Sequence, residues 1–193
     1  MIELNSILVV SSSEKGMEML VSFLKTSNAG QFSTAQSGSN ARRLLAECDF
    51  DLVVINTPLT DEFGDELAAM VTEKTIAGAL LIVKSDYADE IAGRVEDCGV
   101  LVIPKPFTRA LFFQQLHLVN AARMRLVSLH RENLRLQRKI EEIKLVDRAK
   151  WTLISRKNMD EESAHHYIEH FAMDSRITRG AAAKEIIEFF GEE

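Results

Sequence analysis

Short apolar runs alternate with helix-length amphipathic segments in the first part of the chain. The runs are rich in valine and isoleucine and lie at residues 7–10, 51–55, 79–83 and 99–103, with a weaker one at 31–35. They are too short for independent helices, which is typical of buried parallel strands. Intervening helices are predicted around residues 15–26, 38–47, 61–73 and 87–97. The pattern predicts a doubly wound α/β domain of five strands and five helices over residues 1–117, with its functional crevice at the carboxyl ends of the strands.

A seven-residue hydrophobic repeat replaces the strand-like runs from Leu111 onward and continues to Ile143. Leucines with a single asparagine at the core positions favour a two-stranded parallel coiled coil, because paired Asn133 side chains can hydrogen-bond only in register. We therefore expect residues 118–143 to form a dimerisation helix; the alternative is an amphipathic helix packed on its own domain. The seam positions are Val119, Ala122, Leu126, Leu129, Asn133, Leu136, Ile140 and Ile143.

Two more helices are predicted in the tail. Asp160 is a suitable N-cap for a helix running to about Met173, with Glu161 and Glu162 in its first turn, and Thr178 caps another that runs to Phe190. Three helices of this size bury little surface alone, so we expect the tail to rely on the long helix for its stability. The small helical domain spans residues 136–193 and overlaps the coiled coil.

Charge is distributed unevenly along the 193 residues. The net charge is −6, with nine basic and 16 acidic side chains in residues 1–119 against 14 and 13 in residues 120–193. The C-terminal part is therefore the one able to approach a polyanion, although a balance of +1 does not by itself predict nucleic-acid binding.

Cysteine usage and the apolar segments indicate the compartment. Cys48 and Cys98 are isolated, which argues against a disulfide framework and against a zinc site. The first residues lack a signal-peptide pattern, and no apolar run reaches membrane-spanning length. We expect a cytoplasmic protein without membrane contact.

Four segments resemble the receiver domains of two-component response regulators, over residues 4–117: ILVVSSS, DLVVINTPLTDEFG, LLIVKSD and VIPKPF. The resemblance implies a flavodoxin-like (βα)5 fold. In that family two acids after the first strand bind magnesium, and an aspartate ending the third strand accepts the phosphoryl group. A hydroxyl residue ends the fourth strand, and a lysine precedes a proline after the fifth.

Aligned in this way, the acid pair falls on Ser11 and Ser12, the phosphoacceptor on Asn56 and the hydroxyl on Lys84, while Lys105 is retained. A carboxamide is not a nucleophile for acyl-phosphate formation, and without the acids a hard cation loses its oxygen ligands. We predict a degenerate receiver with no phosphorylation, no magnesium, no cofactor and no enzymatic activity. The Lys84 ammonium either bonds to the Asn56 carbonyl or points into solvent.

The tail resembles the ANTAR RNA-binding domain over residues 136–190, without gaps. Three positions depart from the family: Trp151 replaces a glycine, His165 an aromatic residue and Arg179 an aliphatic one. We expect Trp151 to alter packing at the end of the long helix. The shared framework consists of Ala149, Lys150, Leu153, Ile154, Ala164, Ala172, Met173 and Ala183.

This resemblance implies a regulator that binds nascent leader-RNA hairpins so that a terminator fails to form. Basic groups would hold the RNA backbone while loop bases stack on planar side chains, and a homodimer would supply two copies of the site. Each basic residue is otherwise a solvated surface side chain. The expected RNA contacts are Arg148, Lys150, Arg156, Lys157, His165, Arg176 and Arg179, with Lys184 as a further candidate.

Other functions are less well supported by the sequence. The alternative from another class is a protein-interaction regulator that uses the inactive receiver and the coiled coil without RNA. Without phosphate control, a sensor protein that sequesters the dimer, or its concentration, would set activity. His166 and His170 lack a third metal ligand, so no metal site is expected. Phe112, Phe113, Phe189 and Phe190 are expected in a core or an interface.

Overall fold

The computed structural model describes residues 4–26 and 30–191. The chain divides into two compact units, and the boundary between them falls after Ser128, within a single long helix.

The N-terminal unit is built on one parallel five-stranded sheet. The strands are β1 (Ser6–Ser11), β2 (Gln31–Ala35), β3 (Leu52–Asn56), β4 (Gly78–Lys84) and β5 (Leu101–Lys105). Their order across the sheet is β2-β1-β3-β4-β5. This confirms the predicted doubly wound fold, in which each apolar run becomes a strand and the weak run becomes the edge strand β2.

Helices cover both faces of this sheet. They are α1 (Glu14–Lys25), α2 (Gly38–Glu47), α3 (Asp65–Lys74), α4 (Ala88–Val95) and the first part of α5 (Arg109–Lys157), with short 3-10 turns at Ser85–Tyr87 and Glu96–Cys98. The helix expected from residue 61 begins only at Asp65. Gly64, at φ 112°, adopts a left-handed conformation there. Asp61 instead caps α2, accepting hydrogen bonds from the backbone N–H groups of Gly38 (2.8 Å) and Ser39 (2.9 Å).

Successive residues of the central strands point to opposite faces of the sheet and build two cores. Leu8, Val10 and Ile55 lie in the core beneath α2, α3 and α4, whereas Ile7 and Val9 lie in the core beneath α1 and α5. Both faces are therefore apolar, as a buried parallel sheet requires.

The first part of α5 packs on the sheet through Phe112, Leu116 and Val119, all buried in the second core. A Cβ atom on Gly78 would overlap with Val119 Cγ1, so β4 and α5 are in close contact here. The placement of Val119 in the coiled-coil seam is therefore wrong. The spacing that suited a heptad core position also suits an intramolecular face, and here the sheet occupies that face.

The C-terminal unit packs the second part of α5 against α6 (Glu161–Ser175) and α7 (Arg179–Gly191). Its core is rich in alanine, which lets helices approach closely: Ala149, Leu153, Ala164, Ile168, Ala172, Ala182, Ala183 and Ile186. Asp160 is the N-cap of α6 and accepts from the Ser163 N–H at 2.7 Å, as predicted. Thr178 Oγ1 accepts from the Ala181 N–H at 3.2 Å at the start of α7.

None of the helices in the described ranges combines the length and apolar composition of a membrane span.

Candidate functional site

Asn56 and Ser11 form one hydrogen-bonded unit at the carboxyl edge of the sheet. The two residues are register partners at the ends of β3 and β1. Asn56 Nδ2 donates to Ser11 Oγ at 2.9 Å, and Ser11 Oγ donates to the Ser13 carbonyl at 3.0 Å. The polar side chain at the predicted phosphoacceptor position is thus held by a neighbouring hydroxyl.

A close approach of α1 keeps this unit in place. A Cβ atom on Gly16 would lie 2.5 Å from Asn56 Nδ2 and 3.1 Å from Ser11 Oγ. Any larger residue at position 16 would therefore displace the Asn56 carboxamide. The adjacent Ser12 hydroxyl donates to the Pro58 carbonyl at 2.7 Å, which ties the β1 loop to the β3 loop.

Two lysines complete the edge. Lys84 and Lys105 are register partners at the ends of β4 and β5. Lys105 Nζ donates to the Thr57 carbonyl at 2.6 Å, and burial, together with the charge of Lys84, lowers the pKa of Lys105. Lys84 is exposed, and in the described part of the chain it makes no hydrogen bond to Asn56, which favours the solvent-facing interpretation.

A magnesium ion does not fit this edge. Ser11 Oγ is engaged by Asn56 and Ser13, and the charged side chains of the site are two ammonium groups, which repel a cation. Within the described ranges, no three His, Cys, Asp or Glu side chains are grouped as a metal site would need. The residues instead line an open depression of about 500 Å³: Ser12, Ser13, Gly16, Met19, Asn56, Thr57, Pro58, Lys84, Lys105, Pro106 and Phe107.

In the tail, three of the predicted RNA contacts are paired with carboxylates. Lys150 Nζ lies 3.3 Å from Asp147 and 3.4 Å from Glu161, and its hydrogen bond to Asp147 raises the pKa of Lys150. Glu169 lies 3.4 Å from His165 Nε2 and 3.6 Å from Arg179 Nη1. His165 and Arg179 thus share one carboxylate, and all three side chains carry little uncompensated positive charge.

Arg148, Lys157 and Arg176 present their charge more openly. Arg148 and Arg176 are exposed, and Arg176 caps α6 in a left-handed conformation at φ 54°. The Lys157 ammonium lies over the Phe190 ring, 4.7 Å from its centroid. Arg156 is exposed as well, and Lys184 lies 4.0 Å from Glu188.

Comparisons with known proteins agree with both units. The ANTAR domain family matches residues 134–187. The chain is 28% identical over 142 residues to the transcriptional regulatory protein PdtaR of Mycobacterium tuberculosis (strain H37Rv), covering 73% of this chain and 69% of that one. The non-phosphorylated HemR receiver domain of Leptospira biflexa is 30% identical at a TM-score of 0.53, covering 60% of this chain and 94% of that one. The chain belongs to the ANTAR-type transcription antitermination response regulators.

A more distant structure shows only the shared fold of the regulator's first unit. The receiver domain of an HD-domain protein from Pseudomonas fluorescens Pf-5 has a TM-score of 0.58 at 20% identity, covering 65% of this chain and 93% of that one.

The sequence interpretation missed one exposed aromatic side chain of this ANTAR-type regulator. Trp151 was expected to alter packing at the end of the long helix, but it is 69% exposed. It follows Arg148 by three residues on α5, so the two side chains share one face of the helix. The sequence contained a signal for this role, because a tryptophan in place of a glycine beside several basic residues also suits a surface on which bases stack.

The other aromatic residues of the regulator lie in separate places. Phe112 is fully buried in the sheet core and Phe113 packs against it. Phe190 packs against the tail core, whereas Phe189 is 79% exposed. Of the four phenylalanines expected in a core or an interface, three therefore lie in or against a core and Phe189 is exposed.

The rest of the predicted seam lies on the surface of the single chain. Its leucine and isoleucine side chains are between 50% and 59% exposed. These residues, together with exposed Ala122 and Asn133, are Leu126, Leu129, Leu136, Ile140 and Ile143.

Proposed function

We propose that this regulator binds hairpins in nascent leader RNA and prevents termination, under a control that does not use phosphorylation. One observation supports this most directly. The C-terminal unit, which we call the ANTAR unit, presents the cation of Arg148 and the planar ring of Trp151 together on one exposed helix face. Single-stranded loop bases are recognised by stacking on aromatic rings while cations hold the phosphates.

We assign the contacts with the RNA backbone first to basic side chains whose charge is less offset by neighbouring carboxylates. Arg148, Lys157 and Arg176 are exposed, and no carboxylate in the described residues forms an ion pair with any of them. Lys150, His165 and Arg179 would contact RNA only by exchanging Glu161 or Glu169 for phosphate. Arg156 is a further candidate because its side chain is exposed.

Phosphorylation-independent control is supported by the chemistry at Asn56. Its carboxamide lacks the anionic oxygen that attacks phosphorus, and its Nδ2 group is hydrogen-bonded to Ser11. Because the edge does not fit magnesium, a phosphoryl donor would also lack its usual metal. A sensor protein or the amount of the regulator would then set the output.

Dimerisation through a parallel coiled coil is supported by the exposed seam from Ala122 to Ile143. Apolar side chains that recur every three and four residues on a solvent-exposed helix favour association with a second helix. A dimer would place two ANTAR units on one RNA, which suits a leader with paired hairpins.

The function can be tested by single-round transcription in vitro on a template with a two-hairpin leader and a terminator. We expect the full-length regulator to raise readthrough. Arg148→Ala/Trp151→Ala is expected to abolish the effect, and Arg43→Ala/Lys74→Ala, two exposed changes on the receiver unit, to keep it. Unchanged readthrough with wild-type protein on a panel of such leaders would contradict the proposal.

A second candidate is a protein-interaction regulator without RNA. It is favoured by the carboxylates that offset Lys150, His165 and Arg179, since a surface of alternating charge also suits a protein partner. Loss of partner binding with Arg148→Ala, without any RNA affinity in the wild type, would support this candidate.

A further inference from the structure

We propose that the depression at the carboxyl edge of the receiver sheet binds a small phosphate monoester without covalent reaction, with the phosphate held between Lys84 and Lys105. The proposal concerns the receiver unit and does not depend on RNA binding by the tail.

The charge of the depression favours an anion. A phosphoryl-accepting receiver balances its lysine with acids, but the residues that line this depression include two lysines and no carboxylate. Within the described part of the chain neither ammonium forms an ion pair, although they end adjacent paired strands. Two like charges side by side are unfavourable unless an anion joins them. The site has therefore changed from one that attracts a metal cation to one that attracts an anion.

The depression also supplies hydrogen-bond donors for a phosphate. An ammonium has three N–H groups, and Lys105 uses one on the Thr57 carbonyl, which leaves donors for a ligand. The 12-residue helix α1 begins beside the depression, where Ser13 is its N-cap and Ser13 and Gly16 line the wall. The positive end of this helix adds to the field of the two lysines.

The shape of the depression favours an ester over the free ion. A depression of about 500 Å³ is far larger than one phosphate group and is of the size that holds small organic ligands. Met19, Phe107 and Pro106 supply apolar wall beside the lysines. The phosphate would lie at the lysines and the organic part against this wall.

Binding would stop short of chemistry. The Asn56 amide nitrogen is bonded to Ser11, and a carboxamide does not displace an alcohol from phosphorus. The bound ester would thus be recognised intact, as a signal that biases the receiver unit.

The test is titration of the full-length protein with phenyl phosphate and with inorganic phosphate at constant ionic strength, followed by calorimetry and by amide NMR shifts. We expect saturable binding, tighter for the ester, with the largest shifts at Gly16 and Asn56. Lys84→Met should weaken binding by about tenfold or more, as loss of a charge-assisted contact does. Lys74→Met removes an exposed lysine at the end of α3 and should change nothing.

The outcomes separate the alternatives. Lys84 is exposed, so its variant should fold even if Lys105→Met does not. Absence of saturable binding, or equal binding by Lys84→Met, would overturn the proposal. Tighter binding of the free ion than of the ester would overturn the assignment to a monoester, and a stable mass increase of one phosphoryl group would show covalent transfer instead. All of these results are independent of RNA affinity, which is measured separately.

Discussion

Because the seam of α5 is exposed in the single chain, we predict that Leu136→Asp weakens dimerisation. Leu136 occupies a core position of the heptad and is 50% exposed in the single chain. Leu134 lies on the same helix, is 38% exposed and falls outside the seam. Leu134→Asp therefore introduces the same charge on the same helix and serves as the matched control.

The magnitude follows from the exposed area. Full burial of a leucine or isoleucine contributes about 1.5–3 kcal/mol, so covering the exposed half of each side chain contributes roughly 1 kcal/mol. Each seam layer contains two such side chains and contributes about 2 kcal/mol, and five layers contribute about 10 kcal/mol, of the same order as the cost of association. Dimerisation should therefore be sensitive to a single layer.

Leu136→Asp removes one layer and brings two carboxylates together. We expect the dimer dissociation constant to rise by about 100-fold or more, since roughly 1.4 kcal/mol corresponds to a factor of ten. Sedimentation velocity over a concentration series measures this constant, and far-UV circular dichroism checks that the monomer stays folded. The coiled-coil interpretation is refuted if Leu136→Asp leaves the dissociation constant unchanged, or if Leu134→Asp raises it equally.

Three further predictions concern the receiver unit. Gly78→Ala should lower the free energy of unfolding by about 1–3 kcal/mol through overpacking against Val119, and urea unfolding should show a smaller loss when the change is made in a Val119→Ala background. Hydrogen bonds from Ser39 and Gly38 lower the pKa of Asp61 from 3.8 to about 2. The ionised carboxylate therefore stabilises the folded state above about pH 4, and this stabilisation is lost as the pH falls towards 2. Asp61→Asn should remove this part of the acid dependence in thermal melts. Acetyl phosphate should add no mass to the wild type or to Asn56→Asp, because the edge still lacks magnesium ligands; a phosphoryl adduct on the wild type would refute phosphorylation-independent control.

Local patterns predicted most of the fold because the central strands β1, β3 and β4 are buried on both faces. A run such as residues 79–83 has no polar position, which distinguishes it from the amphipathic segments on either side. The start of α3 was predicted too early because residues 61–64 have a composition compatible with a helix. Asp61 is drawn to the amino terminus of α2, a contact over more than 20 residues that periodicity does not contain.

The site could be predicted only in part, for a related reason. Alignment located Asn56 and Lys105, because their positions follow from the strands. The compensation of Lys150 by Glu161 and of Arg179 by Glu142 depends on residues that tertiary packing brings together. Val119 was misplaced because, over the first turns of α5, the heptad core positions overlap with the face of the helix that packs on the sheet.

RNA affinity across a salt series tests directly whether the ANTAR unit recognises RNA. We predict saturable binding of the full-length regulator to a two-hairpin leader, with log affinity falling linearly with log salt concentration. Arg148→Ala should weaken binding and reduce the slope by about 1, the value expected for one phosphate contact. Arg43→Ala on the receiver unit should leave affinity and slope unchanged. No saturable binding to a panel of such leaders, or equal effects of Arg148→Ala and Arg43→Ala, would contradict the assignment of RNA recognition to the ANTAR unit.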